Sequence, residues 1–520
     1  MNTIEQLKSK EDGLSVYARI AQYAKQGWES IPDDDIQRLK WYGIFLRNPT
    51  PGKFMLRVRI PGGQTTIPQL STLAQIAQTY GNEVLDVTTR QQIQLRNLSI
   101  EHIPTIFSQF ETVGLSSIQT GMDNVRNILT CPISGISPDE IGDTMSLVTA
   151  MTQLIAHNAS YSNLPRKMNV AITGCPHNCV HLETQDLAFV PARYTLDHGD
   201  SCAGYNVLVG GKLGSGGYRI ASSLDLFVMP DEVLSVFETI LQLYRDHGFR
   251  ENRNQSRLSF LIDDWGEERF RLAIETQLRK TFPREGTDLR QKQTQDHIGI
   301  YRQRQKGLNY VGIKLLVGRT TSDELHRIVD LASRYGSQEI RLTPHQSLVI
   351  PHIPDHKIGD LDEELRSTTL TYNPTPITKG LVSCVGSDYC NLAVIETKQT
   401  AVDVARALEK RLPSTIKPIT MHWSGCPASC GNHVIADIGL LGKKVKIDGK
   451  VTEAVDIFVG GKSGPDPKLA IKIMEDVPCS RLPDVLANVI PYHTREKMHR
   501  VRSISVKKSA NTTVHSSTVI

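Results

Sequence analysis

The sequence predicts an α/β fold of mixed sheets, built twice, with a large cofactor site at the junction of the two copies. Three observations predict it. Strand-like runs alternate with amphipathic helical runs. Motifs recur in the same order at a nearly constant distance, the mark of a duplicated architecture. Only the second copy carries a complete set of four grouped cysteines.

Residues 1–46 form a polar, helical N-terminal segment anchored by Trp28, Trp41 and Tyr42. A first half-domain follows over residues 47–120. Gly52 to Gly63 alternates like a strand ending in a turn. Ile67 to Tyr80 has helical periodicity and is closed by Gly81. Val84 to Leu98 reads as a strand pair. Residues 121–283 make the first α/β domain, and the polar run 284–297 is the connector. The pattern then restarts. A second half-domain covers residues 298–365, with a strand from Leu308 to Gly318 and a helix from Ser322 to Tyr335 closed by Gly336. The stretch from Glu339 to Ile350 reads as a strand in the place of the Arg90 segment. Residues 366–496 are the second α/β domain. The basic, then Ser/Thr-rich tail 497–520 reads as disordered. Gly174-Cys-Pro-His-Asn-Cys179 recurs as Gly425-Cys-Pro-Ala-Ser-Cys430, an offset of 251 residues. Val209-Gly-Gly-Lys212 recurs as Val459-Gly-Gly-Lys462 at 250, and Tyr80-Gly81 as Tyr335-Gly336 at 255. Two similar halves bury a common seam, and a seam accommodates a large ligand.

Composition bounds the function. The chain has 520 residues, 39% hydrophobic and 22% charged, which suits a globular protein with a substantial core. Lys and Arg number 59 against 55 Asp and Glu, too mild a balance to argue for nucleic acid. No apolar run approaches a membrane span, and residues 1–10 lack the apolar core of a signal peptide. The expected compartment is the cytoplasm, where nine free or metal-bound cysteines are tolerable.

The chemistry gathers around Cys384-Val-Gly-Ser-Asp-Tyr-Cys390 and Cys426-Pro-Ala-Ser-Cys430. Four thiolates from two segments suit an iron–sulfur cluster or zinc. Structural zinc sites usually show a tighter C-x2-C pair, and a disulfide pair needs an oxidising compartment. Four unrelated buried thiols are the bland alternative. Pro427 stands where a helix could begin, which would place Cys426 and Cys430 one turn apart. In the first half, Cys131, Cys175 and Cys179 occupy similar places, but Ser137 stands six residues after Cys131. Those thiols read as buried relics of the duplication, with a second metal site as the sharper alternative.

The first half offers cations instead. Arg90 and Arg96 lie on one segment at an even spacing, which puts them on one face of a strand. Arg126 follows, and then Lys167 and Asn169 alternate in Leu164-Pro-Arg-Lys-Met-Asn169. Converging arginines and a lysine hold carboxylates and small anions. Solvated strand-edge charges are the alternative. The Gly-Gly-Lys repeats lack the rest of a phosphate-loop signature and read as turns.

Together with Thr88-Thr-Arg-Gln91 and Asn124-Val-Arg-Asn127, these motifs resemble the sirohaem and iron–sulfur nitrite/sulfite reductase family from about Leu39 to Gly464. The resemblance is to its ferredoxin-dependent assimilatory nitrite-reducing branch. It implies that Cys384, Cys390, Cys426 and Cys430 ligate a 4Fe–4S cluster and that Cys430 bridges to the sirohaem iron. It also implies that Arg90, Arg126, Lys167 and Asn169 surround the substrate and hold sirohaem carboxylates. Gln94 and Arg96 are added as cofactor contacts. Sulfite reductases of the family place a second lysine at the Asn169 position. A neutral amide suits singly charged nitrite, whereas sulfite rewards another cation. The implied reaction is six-electron reduction of nitrite to ammonium. Assimilatory sulfite reduction is the alternative, and a non-catalytic metal-binding or sensor protein is the alternative of another class. No flavin or nicotinamide fingerprint is present, so the implied donor is reduced ferredoxin or flavodoxin, with the chain a monomer.

Overall fold

The computed structural model describes residues 2–196, 199–214 and 216–492. The tail at 497–520 lies outside the described residues. Thr3 to Tyr42 is a set of short helices, with Trp41 fully buried and its indole Nε1–H donating to the Ser162 carbonyl at 2.8 Å.

The first half-domain carries β1 (Ile44–Arg47), β2 (Thr50–Val58), β3 (Gln64–Thr66), β4 (Val84–Val87) and β5 (Ile93–Leu98). The first α/β domain carries β6 (Val170–Ile172), β7 (Leu187–Thr195), β8 (Ser201–Val209) and β9 (Ser222–Val228). The connector adds β10 (Thr287–Asp288). The second half-domain repeats the first as β11 (Gly299–Arg302), β12 (Leu308–Ile313), β13 (Arg319–Thr321), β14 (Glu339–Leu342) and β15 (Leu348–Pro354). The last domain holds β16 (Gly380–Ser383), β17 (Thr420–Ser424), β18 (Ile438–Ile447), β19 (Lys450–Val459) and β20 (Ile471–Pro478).

The halves exchange strands. One sheet has the order β1-β2-β5-β4-β13, and its counterpart has β11-β12-β15-β14-β3. Each half therefore completes the other's sheet with one short strand. Each exchanged strand leads directly into a helix. Thr66 caps helix Ile67–Tyr80 in a capping box with Gln69, and Thr321 caps helix Ser322–Tyr335 in a capping box with Glu324. The two helices pack on each other. The apolar residues of both half-domains, among them Leu56, Leu70, Val311 and Leu325, merge into one core. Gly81 and Gly336 end these helices because the chain passes too close for a side chain. A Cβ on Gly81 would sit 2.8 Å from the Arg96 carbonyl oxygen, and one on Gly336 would sit 2.8 Å from that of Pro351.

The two α/β domains have their own cores. In the first, β6 runs parallel to β7, and β8 and β9 continue antiparallel. In the second, β16, β17 and β18 are parallel and β19 and β20 antiparallel. The connector is not a free tether. β10 pairs with β7, and the Gln291 amide donates to the Pro176 carbonyl at 2.7 Å. No helix among the described residues is long and apolar enough to cross a membrane.

Candidate active site

Parallel pairing of β16 with β17 sets the thiol site, because the carboxyl ends of neighbouring parallel strands lie side by side. Cys384 follows β16, and Cys426 follows β17 after Gly425. The Cys384 amide donates to the Trp423 carbonyl at 3.0 Å, and the Gly425 amide donates to Cys384 Sγ at 3.1 Å. The Leu392 amide donates to Cys390 Sγ at 3.4 Å. All nine cysteines are free. Burial pushes the Cys426 thiol up to about 12, and Cys430, Cys390 and Cys384 push it the same way. Thiols that disfavour one another's charge are a soft donor set that a cationic metal core would relieve. Cys430 alone of the four is exposed.

The helix expected at Pro427 does not form. Residues 425–432 are turns, because Ser429 at φ 55° and Asn432 at φ 58° occupy the left-handed region and break helical propagation. Only a single 3-10 turn follows, at His433–Ile435. Backbone amides pointing at sulfur take the place of a helix end.

The cations surround Cys430 from the first half. Arg90 lies in the Thr88–Gln92 turn before β5, where Gln91 has φ 51°, so strand alternation does not carry through it to Arg96. Its Nε donates to Asn169 Oδ1 at 3.2 Å. Asn169 is fixed in turn by its backbone N–H, which donates to Asp186 at 2.7 Å, and Asp186 forms a fully buried ion pair with Arg257 at 2.6 Å. Arg126 Nη1 and Arg57 Nη1 both donate to the Thr120 carbonyl, at 2.7 and 3.0 Å. Burial pushes Arg57 down to about 9 and Lys167 well below the lysine range, and neighbouring guanidiniums add to both shifts. The Cys430 thiolate opposes them. Among the described residues, Arg47, Arg57, Arg90, Arg126 and Lys167 have no carboxylate ion pair. Arg126 is buried and the other four are half-buried; cations withdrawn from water without a counter-charge are costly, so this cradle fits a ligand that brings several negative charges. Sirohaem, an iron macrocycle rimmed with carboxylates, is such a ligand.

Thr89, Arg90, Asn169, Gln185 and, from the other half, Asn432 line a cavity at this seam. Arg96 stands apart from it, fully buried, with Nε donating to Asp86 at 2.8 Å and Nη2 to Gln94. Its guanidinium lies 5.2 Å from the Tyr389 ring, beside Cys390. Its Nη1 has no hydrogen-bond partner among the described residues, nor has Arg47 Nε, and Arg47 lies in the field of Arg96, Cys390 and Cys430. Sequence reasoning missed Arg47, Arg57 and Thr89. The alternation of Arg57 on β2 with Arg59 just beyond it is the available signal for one of them.

The family description "Nitrite and sulphite reductase 4Fe-4S domain" matches residues 121–282, and "Nitrite/Sulfite reductase ferredoxin-like half domain" matches 47–113 and 301–368. A "Ferredoxin--nitrite reductase" of Synechococcus elongatus is 44% identical over 94% of this chain and 96% of its own. One of Leptolyngbya laminosa is 42% identical over 95% and 97%. The solved structure of the Mycobacterium tuberculosis NirA protein superposes with a TM-score of 0.89 at 32% identity, covering 94% of this chain and 93% of that one.

Proposed function

The chain belongs to the nitrite and sulphite reductase family, and from that membership we propose that it reduces nitrite to ammonium with single electrons from reduced ferredoxin. The observation that carries the reading is the neutral Asn169 side-chain amide, which accepts from Arg90, with Lys167 in the shared field of Arg90, Arg126 and Cys430. Three cations and one amide match a singly charged oxyanion better than a doubly charged one. Sulfite reduction therefore has less support.

When bound, sirohaem and a 4Fe–4S cluster supply the iron at which the anion reacts and the route for single electrons. Cys384, Cys390, Cys426 and Cys430 would hold the cluster, and Cys430, the exposed member, would also hold the macrocycle iron. Arg47 would contact the cofactors from the end of β1, and Gln94 and Arg96 from β5. Arg90, Arg126 and Lys167 would orient nitrite and balance negative charge on its oxygens as each N–O bond breaks. Reduction of nitrite takes up six electrons and eight protons and releases two waters and ammonium. Lys167 suits the supply of those protons. Burial and its cationic neighbours make its ammonium more acidic than usual, and an adjacent anion favours its protonated form. Asn169 donates or accepts hydrogen bonds without adding charge.

Ferredoxin as donor, a monomeric state and a cytoplasmic location complete the reading. Nine unpaired cysteines fit a reducing compartment. Purified protein should show sirohaem visible absorption and oxidise reduced ferredoxin only when nitrite is present. Protein that stays colourless and iron-free after anaerobic reconstitution would overturn the proposal.

A further inference from the structure

The first half contains a second group of thiols that the reaction does not use. Cys131, Cys175 and Cys179 stand 253, 251 and 251 residues before Cys384, Cys426 and Cys430. They are 1%, 1% and 0% exposed, whereas their counterparts are half-buried or exposed. No thiol lies six residues after Cys131. The connector supplies His297 instead, a buried residue held at φ 60°. Cys131 Sγ lies 3.6 Å from His297 Nε2. The donor atoms of Cys131, Cys179 and His297 all fall within 4.8 Å of one another. Cys175 packs in the same buried cluster as Cys131 and Cys179, and its thiol interacts with that of Cys131. The other ring nitrogen, His297 Nδ1, faces the Tyr310 hydroxyl at 3.3 Å. That contact lets Nδ1 carry the proton and turns the Nε2 lone pair toward the sulfurs.

We propose that Cys131, Cys175, Cys179 and His297 bind one zinc ion as a closed structural site. Three sulfurs and an imidazole are the donor set such sites use. Tetrahedral bonds of about 2.3 Å to sulfur and 2.0–2.1 Å to nitrogen separate the two ligand atoms by about 3.6 Å, which matches the Cys131–His297 distance. The soft donors disfavour magnesium and calcium. Donor atoms this close enclose a single ion, and a four-iron cluster would hold them farther apart. The site staples the connector to the Cys131 loop and the Gly174–Cys179 turn. The duplication has thus kept three ligands in both halves, with the fourth drawn from a different segment.

The test is zinc and iron analysis of the holoprotein from zinc-supplemented cells. About one zinc per chain is expected in addition to iron. Cys131→Ser and, separately, His297→Gln should each lower it to below roughly a tenth, with iron content and the visible spectrum retained. If Cys131→Ser fails to accumulate, His297→Gln alone decides. Wild-type protein with no zinc and no uptake on titration with Zn2+ would overturn the proposal. So would zinc that persists in His297→Gln, or a loss of iron rather than zinc in that variant.

Discussion

Thr89 Oγ1 donates a hydrogen bond to the carbonyl oxygen of Cys430 at 3.1 Å, across the seam between the two halves. Thr89 adjoins Arg90 in the turn before β5, and Cys430 ends the second thiol pair. The bond fixes the cationic cradle against the sulfur that would join the two cofactors. The Cys430 thiolate is consequently felt by Arg47, Arg57, Arg90 and Lys167 together. Under the proposed function, substrate binding and electron delivery would share one junction.

Serine at any of Cys384, Cys390, Cys426 or Cys430 should abolish turnover and reduce bound iron, because the hard alkoxide oxygen is a poor ligand for a soft cluster. Cys202→Ser, far from these loops in sequence and without a thiol partner, should leave both unchanged. Iron analysis and the electron paramagnetic resonance signal of the reduced protein check this. A cluster signal surviving in Cys426→Ser would move the cluster elsewhere.

Asn169→Lys should lower kcat/KM for nitrite by about tenfold or more and raise the sulfite-to-nitrite ratio. The added ammonium removes the acceptor that Arg90 Nε uses and places a like charge beside it. Steady-state assays with both anions read the ratio. An unchanged preference would remove Asn169 from the argument for substrate choice.

Glu339 ties the exchanged strand β3 to β14, accepting from Gln64 and Arg341. Burial alone would raise its carboxyl, but His352, Arg341 and Gln64 outweigh that and bring it down to about 2. A depressed carboxylate stabilises the fold above its unfolded value of about 4.3, and that stability is lost as pH falls toward 2. Glu339→Gln should therefore flatten the acid limb of the stability curve by about 3 kcal/mol. Thermal melts of both proteins across that window supply the comparison, and parallel curves would contradict it.

Much of this was legible beforehand because local signals carried it. Helices Ile67–Tyr80 and Ser322–Tyr335 match their expected limits, since capping residues and periodicity are written into neighbouring positions. The duplication followed from motif spacing. The exchange of β3 and β13 was not legible, because three-residue strands choose partners hundreds of positions away. The helix that could begin at Pro427 gives way to a turn, and nothing in Ser429 or Asn432 demands a left-handed backbone until the fold imposes it. Reading Arg90 as a strand residue failed for the same reason, at Gln91. His297 carried no signal, because a lone histidine in a polar connector shows its partners only in three dimensions.

Ferredoxin-driven rates should fall several-fold as ionic strength rises from about 0.05 to 0.5 M, because salt screens any attraction between an acidic donor and basic groups of the enzyme. Rates with a small neutral reductant should not. Equal salt dependence for both donors would argue against electrostatic docking.

The most direct measurement is the stoichiometry of turnover in purified holoprotein, counting ferredoxin oxidised and ammonium formed while nitrite is consumed. Six reduced ferredoxins per ammonium, with sulfite a much poorer substrate, is the predicted result. Nitrite left unreduced while sulfite is turned over to sulfide would contradict the reading of the Arg90–Asn169 pocket on which the account rests.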